Sequence, residues 1–170
     1  MATLDRINSL SPAEFSALFG KVYEHSGWIA ERAFGRRPFA SETELLLALW
    51  GAVQAASARE QLALLNAHPE LAGREAQAGT LTDASKNEQR LAGLGALDDA
   101  QRAELGALNR RYLEQFGFPF IICARLNSRE AIFGSLRARL TNAPEHEMQN
   151  ALAQVGQIAQ LRLLDILRDA

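Results

Sequence analysis

Cysteine is nearly absent from this chain. Of 170 residues only Cys123 carries a thiol, so no disulfide can close within it. Set among Ile121, Ile122 and Ala124, that thiol reads as a small buried hydrophobe. Histidine is scarce too. His25, His68 and His146 lie far apart, and none falls in an HExxH or paired-cysteine pattern, which removes the spacings on which zinc and redox-metal sites are built. No metal is expected. The GxSxG elbow, the phosphate-cradling GxxxxGK[ST] loop and the GxGxxG turn are all missing, so no cofactor is expected either. No apolar run is long enough to span a bilayer, no basic-then-apolar leader opens the chain, and Leu167-Arg168-Asp169-Ala170 lacks an SKL-type address. The expectation is a cytoplasmic protein with no membrane partner. Charge of one sign is also lacking: Lys+Arg 18 nearly balances Asp+Glu 20 without a like-charge run, which argues against a nucleic-acid partner.

What is present is helix-forming. Hydrophobic residues make up 48% of the chain, enough for the core of one domain, and a single compact domain over residues 1–170 is expected. Alanine and leucine dominate, and their unbranched side chains lose little rotamer freedom in a helix. The punctuation agrees. Ser11-Pro12-Ala13-Glu14 has capping-box spacing with proline at the first helical position, followed by the stripe Phe15, Leu18, Phe19, Val22. Ser41-Glu42-Thr43-Glu44 and Ser57-Ala58-Arg59-Glu60 repeat the signature. Pro69 disfavours helical backbone at the residue before it, so His68 sits at a helix terminus. A long amphipathic segment starts at Asp98 or Asp99 and ends where Gly117 can supply a left-handed residue. Asn127 or Ser128 caps a helix through about Leu140, and a long final helix runs from Ala143. These signals add up to an all-α fold of about seven to nine helices and no sheet.

Two stretches break the pattern. Residues 70–97 are rich in glycine but contain a helical segment from Asp83 to about Leu91, which reads as a functional loop and helix. Phe118-Pro119-Phe120-Ile121-Ile122-Cys123-Ala124 is apolar, carries proline near its start and holds two β-branched residues, so an extended buried connection is expected. Its side chains read as core, but its backbone groups must find partners, and a planar amide-rich ligand is one candidate.

The chemistry-bearing candidates each have a structural reading beside the functional one. His68 at a helix C-terminus can serve the helix dipole or carry a proton. Ser85 and Glu88 stand at capping-box spacing, and Gln89 can be solvated surface. If Thr82 is the cap instead, Ser85, Glu88 and Gln89 occupy i, i+3 and i+4 on one face. Arg162, between Leu161 and Leu163, either snorkels to solvent or clamps a carboxylate or urea-like group.

Four motifs in order resemble the 2-oxo-4-hydroxy-4-carboxy-5-ureidoimidazoline (OHCU) decarboxylases of urate catabolism. They are His68-Pro69-Glu70-Leu71-Ala72-Gly73-Arg74, the Ser85-x-x-Glu88-Gln89 group, Phe116 to Arg125, and Ile158-Ala159-Gln160-Leu161-Arg162-Leu163. The likeness extends from the first helix, through Trp28 and the Arg37-Pro38-Phe39 turn, to about Leu163. It implies an all-α, cofactor-free enzyme that converts OHCU to (S)-allantoin with release of carbon dioxide. By the same resemblance His68 and Glu88 are catalytic, and Pro69, Ser85, Glu88, Gln89, Phe120, Ile121, Ile122, Cys123 and Arg162 bind the small ureidoimidazoline substrate. Gln160 stands where a basic residue is common and Gly27 where proline is common; both lie outside the implied chemistry.

The implied reaction suits a chain without cofactor motifs, since the imidazoline C=N can take up the charge left by carbon dioxide. Arg162 and backbone N–H groups are expected to orient the carboxylate, ureido and ring-carbonyl groups, Glu88 and Gln89 to bind ring or ureido N–H donors, and His68 to handle the proton. Related proteins are often dimers, and the apolar final helix offers a homodimer interface. Two alternatives stay open at this point: a non-catalytic helical interaction module, and an enzyme of the same fold acting on a related ureido or hydantoin compound.

Overall fold

The computed structural model describes residues 3–169, which form ten α-helices and two 3-10 turns, with no strand among them. Eight of the helices have seven or more residues, within the expected number. The other two are α1 (Leu4–Ser9) and α6 (Arg74–Ala78), one-turn pieces too short to show a periodic apolar stripe. No helix is long and apolar enough to cross a membrane. The chain divides into two compact units, Met1–Ala67 with Gly156–Ala170, and His68–Val155.

The first unit holds α1, α2 (Pro12–Phe19), α3 (Trp28–Phe34), α4 (Glu42–Gln54), α5 (Ala58–Asn66) and the residues of α10 (Pro144–Asp169) from Gly156 onward. Ser11 and Ser57 both form the complete capping box expected of them, each satisfying N–H groups that a helix start leaves open. Ser41 caps α4, but Glu44 reaches one residue further back and accepts the Ala40 N–H at 2.8 Å. Phe15 is buried with its ring 4.7 Å from Phe19 and 5.5 Å from Phe34, and Leu45, Leu49, Leu64 and Leu65 complete the core. Gly156 is a packing requirement: a Cβ there would meet the Trp50 ring at 3.3 Å.

The second unit holds α6, α7 (Asp83–Leu91), a 3-10 turn at Leu94–Ala96, α8 (Asp99–Phe116), a 3-10 turn at Ala124–Leu126, α9 (Arg129–Arg139) and the start of α10. Asp98 and Gln101 form the capping box of α8, and Gly117 ends it with φ 78°. From there residues 118–123 run without helix, as their composition demanded. The core gathers round Tyr112, whose ring lies 4.6 Å from Phe116, 5.9 Å from Phe118 and 5.3 Å from Phe120.

Candidate active site

Thr82 is the cap of α7: its Oγ1 accepts the Ser85 N–H at 3.3 Å. Because the helix begins there, Ser85, Glu88 and Gln89 lie within it on one face, and they are its buried residues. A helix that turns Ser, Glu and Gln inward and leaves Leu91 exposed inverts the usual amphipathic pattern. Buried polar groups cost free energy unless they are paired, so such a face points to a role beyond packing.

The loop opened by His68 is tied to this face. His68 is buried two residues beyond the end of α5, with Ala67 between them as the cap, and Pro69 is half-buried beside it. Three residues after Pro69, Ala72 adopts φ 51°, a left-handed conformation that costs a residue with a Cβ about 1 kcal/mol. Its N–H donates to Gln89 Oε1 at 2.8 Å, and the neighbouring Leu71 carbonyl accepts Asn109 Nδ2 from α8 at 3.0 Å. Gly73 closes the turn on Glu70, where an added Cβ would come within 2.5 Å of the Glu70 Cβ.

The extended segment meets the same helix. Helix α7 packs against the turn Ala124–Leu126. The Cys123 thiol is pushed up, first by burial and then by the negative charge of Glu88, so Glu88 lies close to this stretch. The Ile121 carbonyl accepts Arg139 Nη1 at 2.7 Å, the Cys123 N–H donates to Gln154 Oε1 at 2.8 Å, and the Cys123 carbonyl accepts Leu126 N–H and Asn127 Nδ2. The N–H groups of Ile121 and Ile122, two buried residues, meet no hydrogen-bond partner among the described residues. Orphaned amides in buried chain are rare, so each is a donor open to a ligand.

Behind the segment stands a buried ionic network. Glu147 is 0% exposed and accepts from Tyr112 Oη, from Arg139 Nε at 2.6 Å, from Asn142 Nδ2 at 2.7 Å and from Asn150 Nδ2 at 3.4 Å. Burial alone would push the Glu147 carboxyl up, but the bonds from Arg139, Tyr112 and Asn142 together outweigh it and hold it below its ordinary value. Burial and the bond to Glu147 push the Tyr112 phenol far up, so it stays a donor. Arg139 links this network to Ile121 and covers the Phe120 ring at 4.6 Å.

Within the second unit, then, the His68 loop is bonded to the polar face of α7, and α7 packs on the turn that follows the Phe120–Cys123 segment. In the first unit Arg162 does not snorkel: it is 6% exposed, and its Nη1 donates to Glu24 Oε2 at 2.7 Å. Sequence reasoning missed Glu24, Asn109, Arg139 and Gln154. A buried arginine announces that an acid must face it, but not which one. Among the described residues no three His, Cys, Asp or Glu side chains converge as a metal site would require.

The family described as OHCU decarboxylase matches residues 8–164. The chain is 41% identical over 163 residues to the 2-oxo-4-hydroxy-4-carboxy-5-ureidoimidazoline decarboxylase of Amia calva, covering 96% of this chain and 93% of that protein. Identity to the protein of the same name from Haloferax volcanii is also 41% over 163 residues, with 96% and 95% covered. Among solved structures, an (S)-allantoin synthase superposes with a TM-score of 0.78 at 30% identity, over 97% of this chain; the chain spans 54% of that one. A polar face turned inward on α7, bound to the His68 loop and packed beside an extended segment with two open amides, thus sits in a sequence that follows these relatives almost end to end, and the chain belongs to the OHCU decarboxylase family.

Proposed function

We propose that the chain converts OHCU to (S)-allantoin in urate degradation, with His68 as the proton carrier. The observation that carries this reading is the inward polar face of α7, joined to the His68 loop through the Gln89–Ala72 bond, in a member of this family. The chain is then a carboxy-lyase. The bond from the ring carbon to the carboxylate breaks, carbon dioxide leaves, and the electron pair passes into the adjacent C=N. The former C=N nitrogen takes a proton, the ring hydroxyl gives its proton up as it becomes the carbonyl, and the carbon bearing the ureido group takes a proton on one face, which sets the chirality of the product.

The protein positions and protonates. An imidazole has two ring nitrogens, either of which can give or take a proton, which suits His68 to the step. Glu88 accepts from a ring or ureido N–H. Gln89 was expected to accept an N–H as well, but its Oε1 already holds the Ala72 N–H, so it offers its Nε2 donors instead. The Ile121 and Ile122 amides, with Arg162, orient the carboxylate, ureido and ring-carbonyl groups, while Pro69, Ser85, Phe120 and Cys123 shape the surroundings. The same reading takes residues 1–170 as one decarboxylase domain working in the cytoplasm as a homodimer, for which fractionation and light scattering are the tests.

The function is tested by following freshly generated OHCU by circular dichroism with wild type and His68→Asn, after subtracting spontaneous decay, which yields racemic allantoin. Loss of a positioned proton carrier should slow turnover by about a hundredfold or more and leave a racemic product. A folded variant matching wild type in rate and enantiomeric outcome overturns the role of His68.

A further inference from the structure

Arg162 is built into the first unit opposite an acid that lies 138 residues away in sequence. Glu24 is 3% exposed and sits in the irregular turn between α2 and α3. That turn is fixed from several sides. Ser26 Oγ donates to the Glu24 carbonyl at 2.9 Å, Ser26 N–H donates to the Tyr23 carbonyl at 3.2 Å, and His25 takes φ 46°, a left-handed conformation rare outside glycine. His25 Nε2 stands 3.9 Å from Glu24 Oε1 on a side chain 70% exposed, so water screens it. Glu24 is a buried counter-charge of Arg162.

A guanidinium is a rigid plane carrying five N–H donors, so holding one nitrogen at 2.7 Å narrows the directions in which the rest can point. The pairing has an electrical consequence as well. A second anion brought to Arg162 would meet the negative charge of Glu24 in a buried setting where screening is weak. A neutral carbonyl oxygen meets no such opposition. Firm binding of the carboxylate would also work against decarboxylation, because an interaction lost as the carbon–carbon bond breaks stabilises the ground state more than the transition state.

We infer that Glu24 is a positioning residue for Arg162: its carboxylate orients the guanidinium and balances its charge, so that Arg162 serves a neutral carbonyl of the ureidoimidazoline and not its carboxylate. The inference rests on the reading of Arg162 as a substrate residue given above. Glu24 touches no reacting atom and acts through the arginine.

The test uses Glu24→Gln, Arg162→Gln and the double variant, with allantoin as an inhibitor that lacks the carboxylate and OHCU as the ligand that has it. In Glu24→Gln, loss of a charge-assisted orienting bond should raise the allantoin inhibition constant about tenfold. KM for OHCU should rise less, because the uncompensated arginine now attracts the carboxylate. In the Arg162→Gln background Glu24→Gln should change neither constant further, since its effect passes through the arginine. Unchanged allantoin inhibition in folded Glu24→Gln, effects that multiply in the double variant, or a larger rise in KM than in the inhibition constant each overturns the inference. If Arg162→Gln itself leaves both constants at wild-type values, the substrate role of Arg162 fails first and the inference falls with it. Should Glu24→Gln not fold, Glu24→Asp keeps the charge and withdraws it by about one carbon–carbon bond, about 1.5 Å. A several-fold rise in the allantoin constant is then expected, and no rise refutes the proposal.

Discussion

Replacing Glu147 by Gln removes one negative charge from the centre of the second unit without changing its shape. Glu147 is 0% exposed, whereas Arg139 is 11% exposed at its side chain and keeps its bond to the Ile121 carbonyl. Removing one partner of a buried pair typically costs 3–5 kcal/mol; the slight exposure of Arg139 and the surviving amide oxygen place this case at about 3 kcal/mol. For a chain of this size that corresponds to a fall in melting temperature of about 6–12 °C. Urea denaturation followed by far-ultraviolet circular dichroism measures it directly. In an Arg139→Met background the same substitution should cost nothing or stabilise, because there it relieves a buried carboxylate that has lost its cation. Activity follows a different rule. Arg139→Met frees the Ile121 carbonyl, so kcat/KM should fall by about tenfold or more and stay low when Glu147→Gln restores stability. The carboxyl of Glu147 is held below its ordinary value in the folded state, so its contribution is complete above about pH 4.5 and disappears as pH falls through the folded value. The stability gap between wild type and Glu147→Gln should therefore close on acidification. A gap below about 0.5 kcal/mol at pH 7, or additive effects in the cycle, refutes this account of the network.

Two further outcomes are expected. The Cys123 thiol, raised by burial and by Glu88, should react slowly with a small alkylating reagent at pH 8, and Glu88→Gln should speed the reaction; equal rates would show that the Glu88 charge does not reach it. Gly117→Ala should cost about 1 kcal/mol by urea midpoint, because the position has φ 78° but open space around it, so only backbone strain opposes the new methyl. An unchanged midpoint would count against that conformation.

Local chemistry made the fold readable. Serine, aspartate and threonine before apolar runs marked where helices start, and Gly117 and Pro119 marked the passage from α8 into extended chain, because these residues act within one turn of their own position. The polar face of α7 was legible once Thr82 was taken as the cap. What sequence order hides is partnership at long range. The bonds between Glu24 and Arg162, Arg139 and Ile121, and Asn109 and Leu71 join residues 138, 18 and 38 apart, and no periodicity or cap encodes them. The left-handed turn at Ala72 was equally silent, since alanine gives no signal for positive φ.

The bond from Ala72 to Gln89 has a consequence for tautomers. A carboxamide looks almost the same with its two ends exchanged, but a backbone N–H can face only the oxygen, so the Ala72 amide decides which end is which. In the proposed site the nitrogen end of Gln89 would favour the keto form of a ring, whose carbonyl accepts without adjustment, over the enol, whose hydroxyl must first turn its hydrogen away. On the role proposed for Gln89, a backbone conformation that costs about 1 kcal/mol at a residue of no chemical character would thereby set which isomer of a mobile heterocycle is held for reaction.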